Sequence, residues 1–362
     1  MRKKKLCLVI PSMGVGGMER VMSELAYYFC NKDDLEVHMV LYGKDPVFFY
    51  QVPENLKIHL PTSVFNDRLR FICTIIRLSY LRKEVRRIKP DSVLSFGEYW
   101  NSFVLLALMA SPYQVYISDR CSPEKKFKLL QSLLRKWLYP RAKGIIAQTY
   151  TAKRIYDKHF NNGNISVIGN PIRFVTFDNI SKKREKIVLS IGRLINSKNH
   201  DKLIELFCDI NRRGWKLIIV GGDALKQKNM VRLNELIARL NAGNSVFLMG
   251  KINDIDRFYL ESSIYVSTSY SEGFPNVIGE AMSAALPVVA FDCVAGPSEM
   301  ITDGEDGFLI KVNDYSSFRE RLEQLMDDKM LREKIGAKAK ESINKFSIGE
   351  IGEQFYKFIL PE

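Results

Sequence analysis

Short runs of β-branched and aliphatic residues alternate with amphipathic stretches along nearly the whole chain, a pattern that predicts parallel sheets covered by helices. In the first half the apolar runs fall at residues 6–11, 36–42, 92–96, 114–119, 144–149 and 165–168. The pattern breaks at Asn170-Pro171, and residues 174–185 read as irregular and polar before a new run opens at 187–191. The scheme then repeats at 216–220, 245–249, 264–268, 287–291 and 307–310, and helical periodicity near 315–327 and 329–344 closes it. The expectation is an α/β protein of two facing domains, residues 1–170 and 171–345, with a ligand cleft between them. A C-terminal helix over 346–362 is expected to return to the first domain.

A length of 362 residues suits two cores better than one. The apolar run that follows the basic start ends at Pro11, too soon for a secretory signal, so it reads as a first strand. No window approaches the roughly eighteen uninterrupted apolar residues of a spanning helix, and the densest, 103–110, reads as a core helix. The six cysteines, Cys7, Cys30, Cys73, Cys121, Cys208 and Cys293, lack paired spacing and read as free thiols in a reducing compartment. His38, His59, His159 and His200 never stand at ligand spacing, which argues against zinc.

Charge changes the picture more. The net charge is +13, and all of it belongs to the first 170 residues, with 27 Lys and Arg against 14 Asp and Glu; the remainder has 27 of each. Such asymmetry calls for an anionic partner of the first domain, a membrane surface or nucleic acid. Two segments concentrate it. Residues 66–89 set eight basic side chains, Arg68, Arg70, Arg77, Arg82, Lys83, Arg86, Arg87 and Lys89, against Asp67 and Glu84 and around Phe71, Ile75, Leu78, Leu81, Val85 and Ile88. Residues 125–141 interleave Lys125, Lys126, Lys128, Arg135, Lys136 and Arg141 with Phe127, Leu130, Leu134, Trp137 and Leu138. Each suits a helix lying on an anionic bilayer, with part of each apolar stripe expected to pack on the sheet. No nucleic-acid recognition motif accompanies the charge.

Glycines and charges gather where strands end. The first run leads into Gly14-Val15-Gly16-Gly17-Met18-Glu19-Arg20, a turn whose amides could approach an anion. A dinucleotide fingerprint fails there at Glu19, which weakens the alternative of a nicotinamide-dependent oxidoreductase. In the second half, Arg193 and Lys198 could each neutralise a diphosphate oxygen, and Gly221-Gly222 would let a flat base or ribose approach the backbone. Ser271-Glu272-Gly273-Phe274-Pro275-Asn276-Val277 leads into a helix carrying Glu280. Pro275 suits the first turn, leaving amides near Asn276 and Val277 for phosphate, and Glu280 in so apolar a helix would be costly without a partner.

Glu272 and Glu280, preceded by Ile191-Gly192-Arg193, Lys198 and the opening Gly16-Gly17-Met18-Glu19-Arg20, resemble the family-four retaining glycosyltransferases of the GT-B fold, two facing Rossmann-like domains. The resemblance runs through Gly296-Pro297-Ser298-Glu299 and Asp303 to Gly307, and is strongest to bacterial enzymes that extend polyprenyl-diphosphate-linked oligosaccharides with N-acetylgalactosamine. It implies that Arg193 and Lys198 hold the donor diphosphate, Glu280 the ribose and Glu272 the donor sugar. It implies further that Gly16, Gly17, Gly222, Met249, Lys251, Ile252, Phe274, Asn276 and Val277 contact the donor. Many members carry a histidine after the fifth strand, where this chain reads Ser118-Asp119-Arg120; an arginine there is no general base, and Arg120 and Glu98 become candidate contacts for acceptor or sugar. The implied activity moves a hexose or N-acetylhexosamine from a UDP-sugar to a lipid-linked saccharide at the cytoplasmic face of a membrane, with no cofactor, metal or nucleic acid. A basic nucleic-acid-binding protein is the non-enzymatic alternative.

Overall fold

The computed structural model describes residues 2–44, 48–176, 184–224 and 227–361. The chain divides into two compact units, Met1–Pro171 with Ile348–Glu362, and Ile172–Ser347. The irregular stretch expected over 174–185 lies partly outside the described residues.

The first unit is built on a parallel sheet of β1 (Lys4–Ile10), β2 (Leu35–Leu41), β3 (Lys57–His59), β4 (Ser92–Phe96), β5 (Gln114–Ser118), β6 (Gly144–Ala147) and β7 (Ile165–Val167), in the order β3-β2-β1-β4-β5-β6-β7. Its helices are α1 (Gly17–Cys30), α2 (Arg70–Ile88), α3 (Asn101–Ala107), α4 (Leu129–Leu138) and α5 (Tyr150–His159). Leu6 to Ile10 are wholly buried, as a central parallel strand covered on both faces requires. The C-terminal helix Ile348–Ile359 packs on α1, where the Tyr28 hydroxyl and Lys32 reach Glu353 at 2.6 and 2.9 Å. The short edge strand β3 escaped the sequence pattern because three residues of mixed polarity give no period.

That strand has a consequence for the histidines. Lying beside β2, it brings His59 Nε2 to 2.9 Å from His38 Nδ1, within a chain that runs from Glu36 through both rings to Glu84. The two histidines are therefore paired in space although not in sequence, and burial holds both below the ordinary pKa of the side chain. Among the described residues, no group of three or more His, Cys, Asp or Glu is placed to hold a metal ion. All six cysteines are free thiols.

The two basic helices behave differently along their lengths. α2 buries Leu81, Val85 and Ile88 but leaves Phe71 77% exposed, with Leu69, Ile72, Ile75 and Ile76 also outside. Arg77 is buried and donates to the Ser63 side chain and carbonyl, Arg82 donates to the Ala107 and Met109 carbonyls and Arg87 pairs with Glu84, while Lys83, Arg86, Arg87 and Lys89 are exposed. In α4, Leu138 is buried while Leu129 and Leu130 are 76% and 70% exposed, and Leu133 and Trp137 are exposed with them. No helix among the described residues is long and apolar enough to cross a membrane.

The second unit repeats the design with β8 (Ile187–Ile191), β9 (Lys216–Val220), β10 (Val246–Gly250), β11 (Ile264–Ser267), β12 (Val288–Asp292) and β13 (Phe308–Lys311), all parallel, in the order β10-β9-β8-β11-β12-β13. Around it stand α6 (His200–Ile210), α7 (Asn229–Arg239), α8 (Asp256–Glu261), α9 (Asn276–Ser283), α10 (Pro297–Met300), α11 (Tyr315–Asp327) and α12 (Lys329–Ser342). Leu203, Phe207, Leu217 and Phe318 belong to one apolar cluster of this unit, and Leu189, Tyr265, Ile278 and Met282 to another. The strand order reverses between β8 and β11, and in such sheets ligands bind where the strands adjoining that reversal end.

Candidate active site

In the second unit the chain leaves β8 as Gly192-Arg193 and leaves β11 as Thr268 to Phe274, on either side of the reversal. The β8 loop is stitched to the end of β9: Gly192 donates to the Val220 carbonyl and Leu194 to that of Gly222, each at 2.9 Å. Gly221 adopts φ +157°, and a side chain there would begin 1.8 Å from the Gly192 carbonyl oxygen, so only glycine lets the two loops close. Lys198 lies across Gly192, and its Nζ stands 2.5 Å from Glu272 Oε1. Both side chains are largely buried, which makes the pair dependent on its partners for charge balance. Two further bonds brace the loops: Thr268 Oγ1 donates to the Lys198 carbonyl at 3.1 Å, and the Tyr270 amide to that of Ser197 at 2.8 Å. Arg193 is exposed and has no acidic partner among the described residues. Burial, reinforced by Lys198, pulls the His200 pKa down to about 4, so this ring next to the loop is neutral.

The helix start differs in detail from expectation. Pro275 precedes the first turn of α9 and the Asn276 amide bends back to the Phe274 carbonyl at 3.0 Å, so this amide is already engaged. The Phe274 ring is buried edge-on against Phe346, which leaves its backbone as the part that can meet a ligand. Glu280 is fully buried, but it has partners the sequence did not disclose. The Tyr259 hydroxyl donates to Oε2 at 2.8 Å, and Arg173 stands 4.0 Å from the same oxygen while forking onto Asp256 at 2.7 and 2.6 Å. The cost argument for Glu280 is thus met inside the protein, from residues 21 and 107 positions away in the chain.

The ends of β9 and β10 bring more of the predicted residues together. The Gly221 amide donates to the Gly250 carbonyl at 2.9 Å, and the Lys251 side chain lies beside Gly222. Met249 is exposed and Ile252 packs partly on the core. In the loop after β12, whose Gly296-Pro297-Ser298-Glu299 the sequence did single out, it gave no role to Val294, which bridges to Ser271 and sets Cys293 near the Lys198–Glu272 pair. Burial and the nearby Glu272 push its thiol up to about 12, which keeps it protonated.

In the first unit, the reversal lies between β1 and β4. Glu19, near the start of α1, folds its carboxylate back onto Gly16, coming within 2.1 Å of where a side chain there would begin. Beyond β4, Glu98 pairs with Lys125 at 2.6 Å; burial opposes ionisation of Glu98, but the Lys125 hydrogen bond prevails and lowers its pKa. Beyond β5, the Asp119 carboxylate accepts from Asn101 at 3.0 Å, from Tyr139 at 2.7 Å and from Arg135. Arg120 lies over the Phe96 ring, its Cζ 3.5 Å from the centroid, and donates through Nη1 to the Asn170 side chain.

Residues 15–174 match the family described as Glycosyltransferase Family 4, and residues 172–342 that described as Glycosyl transferases group 1. The amylovoran biosynthesis glycosyltransferase AmsD of Erwinia amylovora is 29% identical over 91% of this chain and 92% of its own. A Campylobacter jejuni enzyme, N-acetylgalactosamine-N,N'-diacetylbacillosaminyl-diphospho-undecaprenol 4-alpha-N-acetylgalactosaminyltransferase, is 28% identical over 99% of this chain and 100% of its own. Among solved structures, Anabaena Alr3699/HepE in complex with UDP superposes with a TM-score of 0.80 at 19% identity, over 98% of each chain. These matches do not support an oxidoreductase. With one family covering each half of its length, the chain belongs to the group 1 and family 4 glycosyltransferases, and its two Rossmann-like units are those of the GT-B fold.

Proposed function

We propose that the protein transfers a hexose or N-acetylhexosamine from a UDP-sugar to a lipid-linked saccharide, with retention at the anomeric carbon and without a metal ion. The observation that carries this reading is the braced Lys198–Glu272 pair beside Arg193, two cations and an acid gathered where the strand order reverses. HepE was solved in complex with UDP and with UDP-glucose, and two Campylobacter relatives are named for adding N-acetylgalactosamine to saccharides on an undecaprenol diphosphate, which supports the choice of donor and acceptor.

On this reading Arg193 and Lys198 take the donor diphosphate, and Glu272, released from Lys198, faces the donor sugar. Glu280 holds the ribose; Gly222, Met249, Lys251 and Ile252 meet the base; backbone from Phe274 to Val277 lies by sugar and phosphate, with Asn276 contributing through its side chain rather than its engaged amide. Gly16 and Gly17 are further donor contacts, and Glu98 and Arg120 belong to the acceptor or sugar. The acceptor oxygen bonds to the anomeric carbon on the face from which the phosphate oxygen departs, and its proton passes to that departing oxygen. Arg193 and Lys198 offset the negative charge that grows there, the part a divalent ion plays in other transferases. A two-carboxylate hydrolysis fits poorly, because Glu272 and Glu280 are bonded into the loop and the core rather than poised across a sugar bond. Thermal melting against UDP-, GDP- and ADP-sugars tests the donor assignment. A UDP-sugar at a hundred times its Kd stabilises by about 2.7 kcal/mol, with or without EDTA; protection by GDP- or ADP-sugars alone would contradict it.

The proposed workplace is the inner membrane face. The exposed Leu129, Leu130, Leu133 and Trp137 of α4 stand among Lys126, Lys128, Lys136 and Arg141, all exposed. Both α4 and the exposed end of α2 begin near the strand ends that carry Glu98 and Arg120, since helices of a parallel sheet run back against its strands. At about 1 kcal/mol per basic residue near an anionic surface, such a patch would hold the enzyme beside a lipid-linked acceptor. Sedimentation with phosphatidylglycerol vesicles should fall as salt rises. Replacing Leu129, Leu130 and Leu133 by serine and Lys126, Lys128 and Lys136 by glutamate should cut it at least tenfold. Undiminished sedimentation of that variant would place the contact elsewhere.

A further inference from the structure

The guanidinium of Arg120 is held on two sides and has no partner on the third. Its plane rests on Phe96, and its Nη1 donates to Asn170, whose Oδ1 also accepts from Gln148 at 2.7 Å. Its Nε and Nη2, which form one edge of the fork, are sheltered from water and have no hydrogen-bond partner. The adjacent carboxylate cannot serve, because Asp119 is already engaged by Asn101, Tyr139 and Arg135. A sheltered cation with two unsatisfied N–H groups costs stability that an apolar side chain of the same size would not. Burial pulls the Arg120 pKa down to about 9, which still leaves it charged at neutral pH. Its place is the end of β5, next to β4 at the reversal in the first sheet, where a substrate is expected.

We infer that the Nε/Nη2 edge of Arg120 is the seat of a substrate oxyanion, a phosphate or a carboxylate bound through two oxygens. The parallel N–H pair matches two oxygens of one such group in a way a lysine cannot, and shelter from water strengthens the pair. Phe96, Asn170 and Gln148 fix the fork before the ligand arrives, so little ordering is left to do on binding. The inference rests on the glycosyltransfer reading only for the source of the oxyanion, which is either the diphosphate of the lipid acceptor or the carboxylate of a uronic acid donor.

Thermal melting of the full chain separates the cases. Arg120→Met in the ligand-free state should melt at or above the parent temperature, because it removes an unsatisfied charge. With UDP saturating, so that the diphosphate site of the second unit is filled, geranyl diphosphate probes the acceptor source. Without added UDP, UDP-glucuronate against UDP-glucose probes the donor source. Whichever probe protects through this seat should lose at least tenfold in apparent affinity in Arg120→Met. Arg120→Lys, which keeps the charge and loses the fork, should weaken the same probe and no other. Protection by UDP should be equal with and without Arg120; its absence from every variant would count against the donor assignment and not against this seat. The inference is overturned if Arg120→Met melts well below the parent, which makes the residue a structural cation. It is equally overturned if neither probe depends on Arg120, which leaves a buried water as the occupant of the edge.

Discussion

Replacing Lys198 by alanine is expected to slow sugar transfer by roughly ten- to a hundredfold while changing UDP affinity by much less. Lys198 reaches Glu272 from across Gly192, so its ammonium already stands at the turn where the two central loops meet. In the proposed reaction its contact with the departing diphosphate strengthens as the bond to the sugar breaks, and an interaction that grows in this way acts on turnover rather than on ground-state binding. A lost charge-assisted hydrogen bond costs about 1.5 to 3 kcal/mol, and each 1.4 kcal/mol is a factor of ten. The substitution also leaves Glu272 without its counter-ion, so Lys198→Arg, which keeps the charge, should recover part of the rate. Initial rates at saturating donor, set beside UDP dissociation constants, check the split. A variant with parental turnover and weakened UDP binding would make Lys198 a docking residue instead.

Glu280→Ala should do the reverse, weakening the donor complex by about 1.5 to 3 kcal/mol and lowering stability as well. The stability loss follows from the core: the carboxylate is fully buried, and its removal leaves the Tyr259 hydroxyl without its acceptor and Arg173 with one acid fewer. An orphaned buried donor costs about 1 to 3 kcal/mol, which in a domain of this size lowers Tm by about 2 to 4 °C per kcal/mol. Glu280→Gln separates the two effects, since its amide oxygen can still accept from Tyr259 while the negative charge is gone. It should melt close to the parent and still bind UDP at least fivefold more weakly. If Glu280→Gln restores both melting temperature and UDP affinity, the carboxylate serves the core alone.

How much of this was legible in the sequence depended on how far apart the cooperating residues lie. Continuous apolar runs such as 6–10 and 187–191 became central strands, because a strand covered on both faces has to be apolar at every position. Gly192, Lys198 and Glu272 were singled out by local spacing, and the fold brought them together because their loops leave neighbouring strands. The partners of Glu280 were invisible, since Arg173 and Tyr259 come from separate stretches that only tertiary packing unites. The same holds for His38 and His59, joined by a strand of three residues. The division of the α2 stripe could not be read for another reason: a helical period reports that one face is apolar, not how far along the helix the sheet covers it. Leu81 to Ile88 found that cover and Phe71 to Ile76 did not.

The central claim is that this chain moves a sugar from UDP to a lipid-linked saccharide with its configuration kept and no metal at work. Proton NMR of the product, formed from an α-linked UDP-N-acetylhexosamine or UDP-hexose and a polyprenyl-diphosphate saccharide in EDTA, tests it most directly. The account predicts a new glycosidic bond carrying the small anomeric coupling of an α-linkage in a gluco- or galacto-configured sugar, formed at the same rate when magnesium replaces EDTA. A β-linked product, or transfer that stops in EDTA and returns with magnesium, would contradict it.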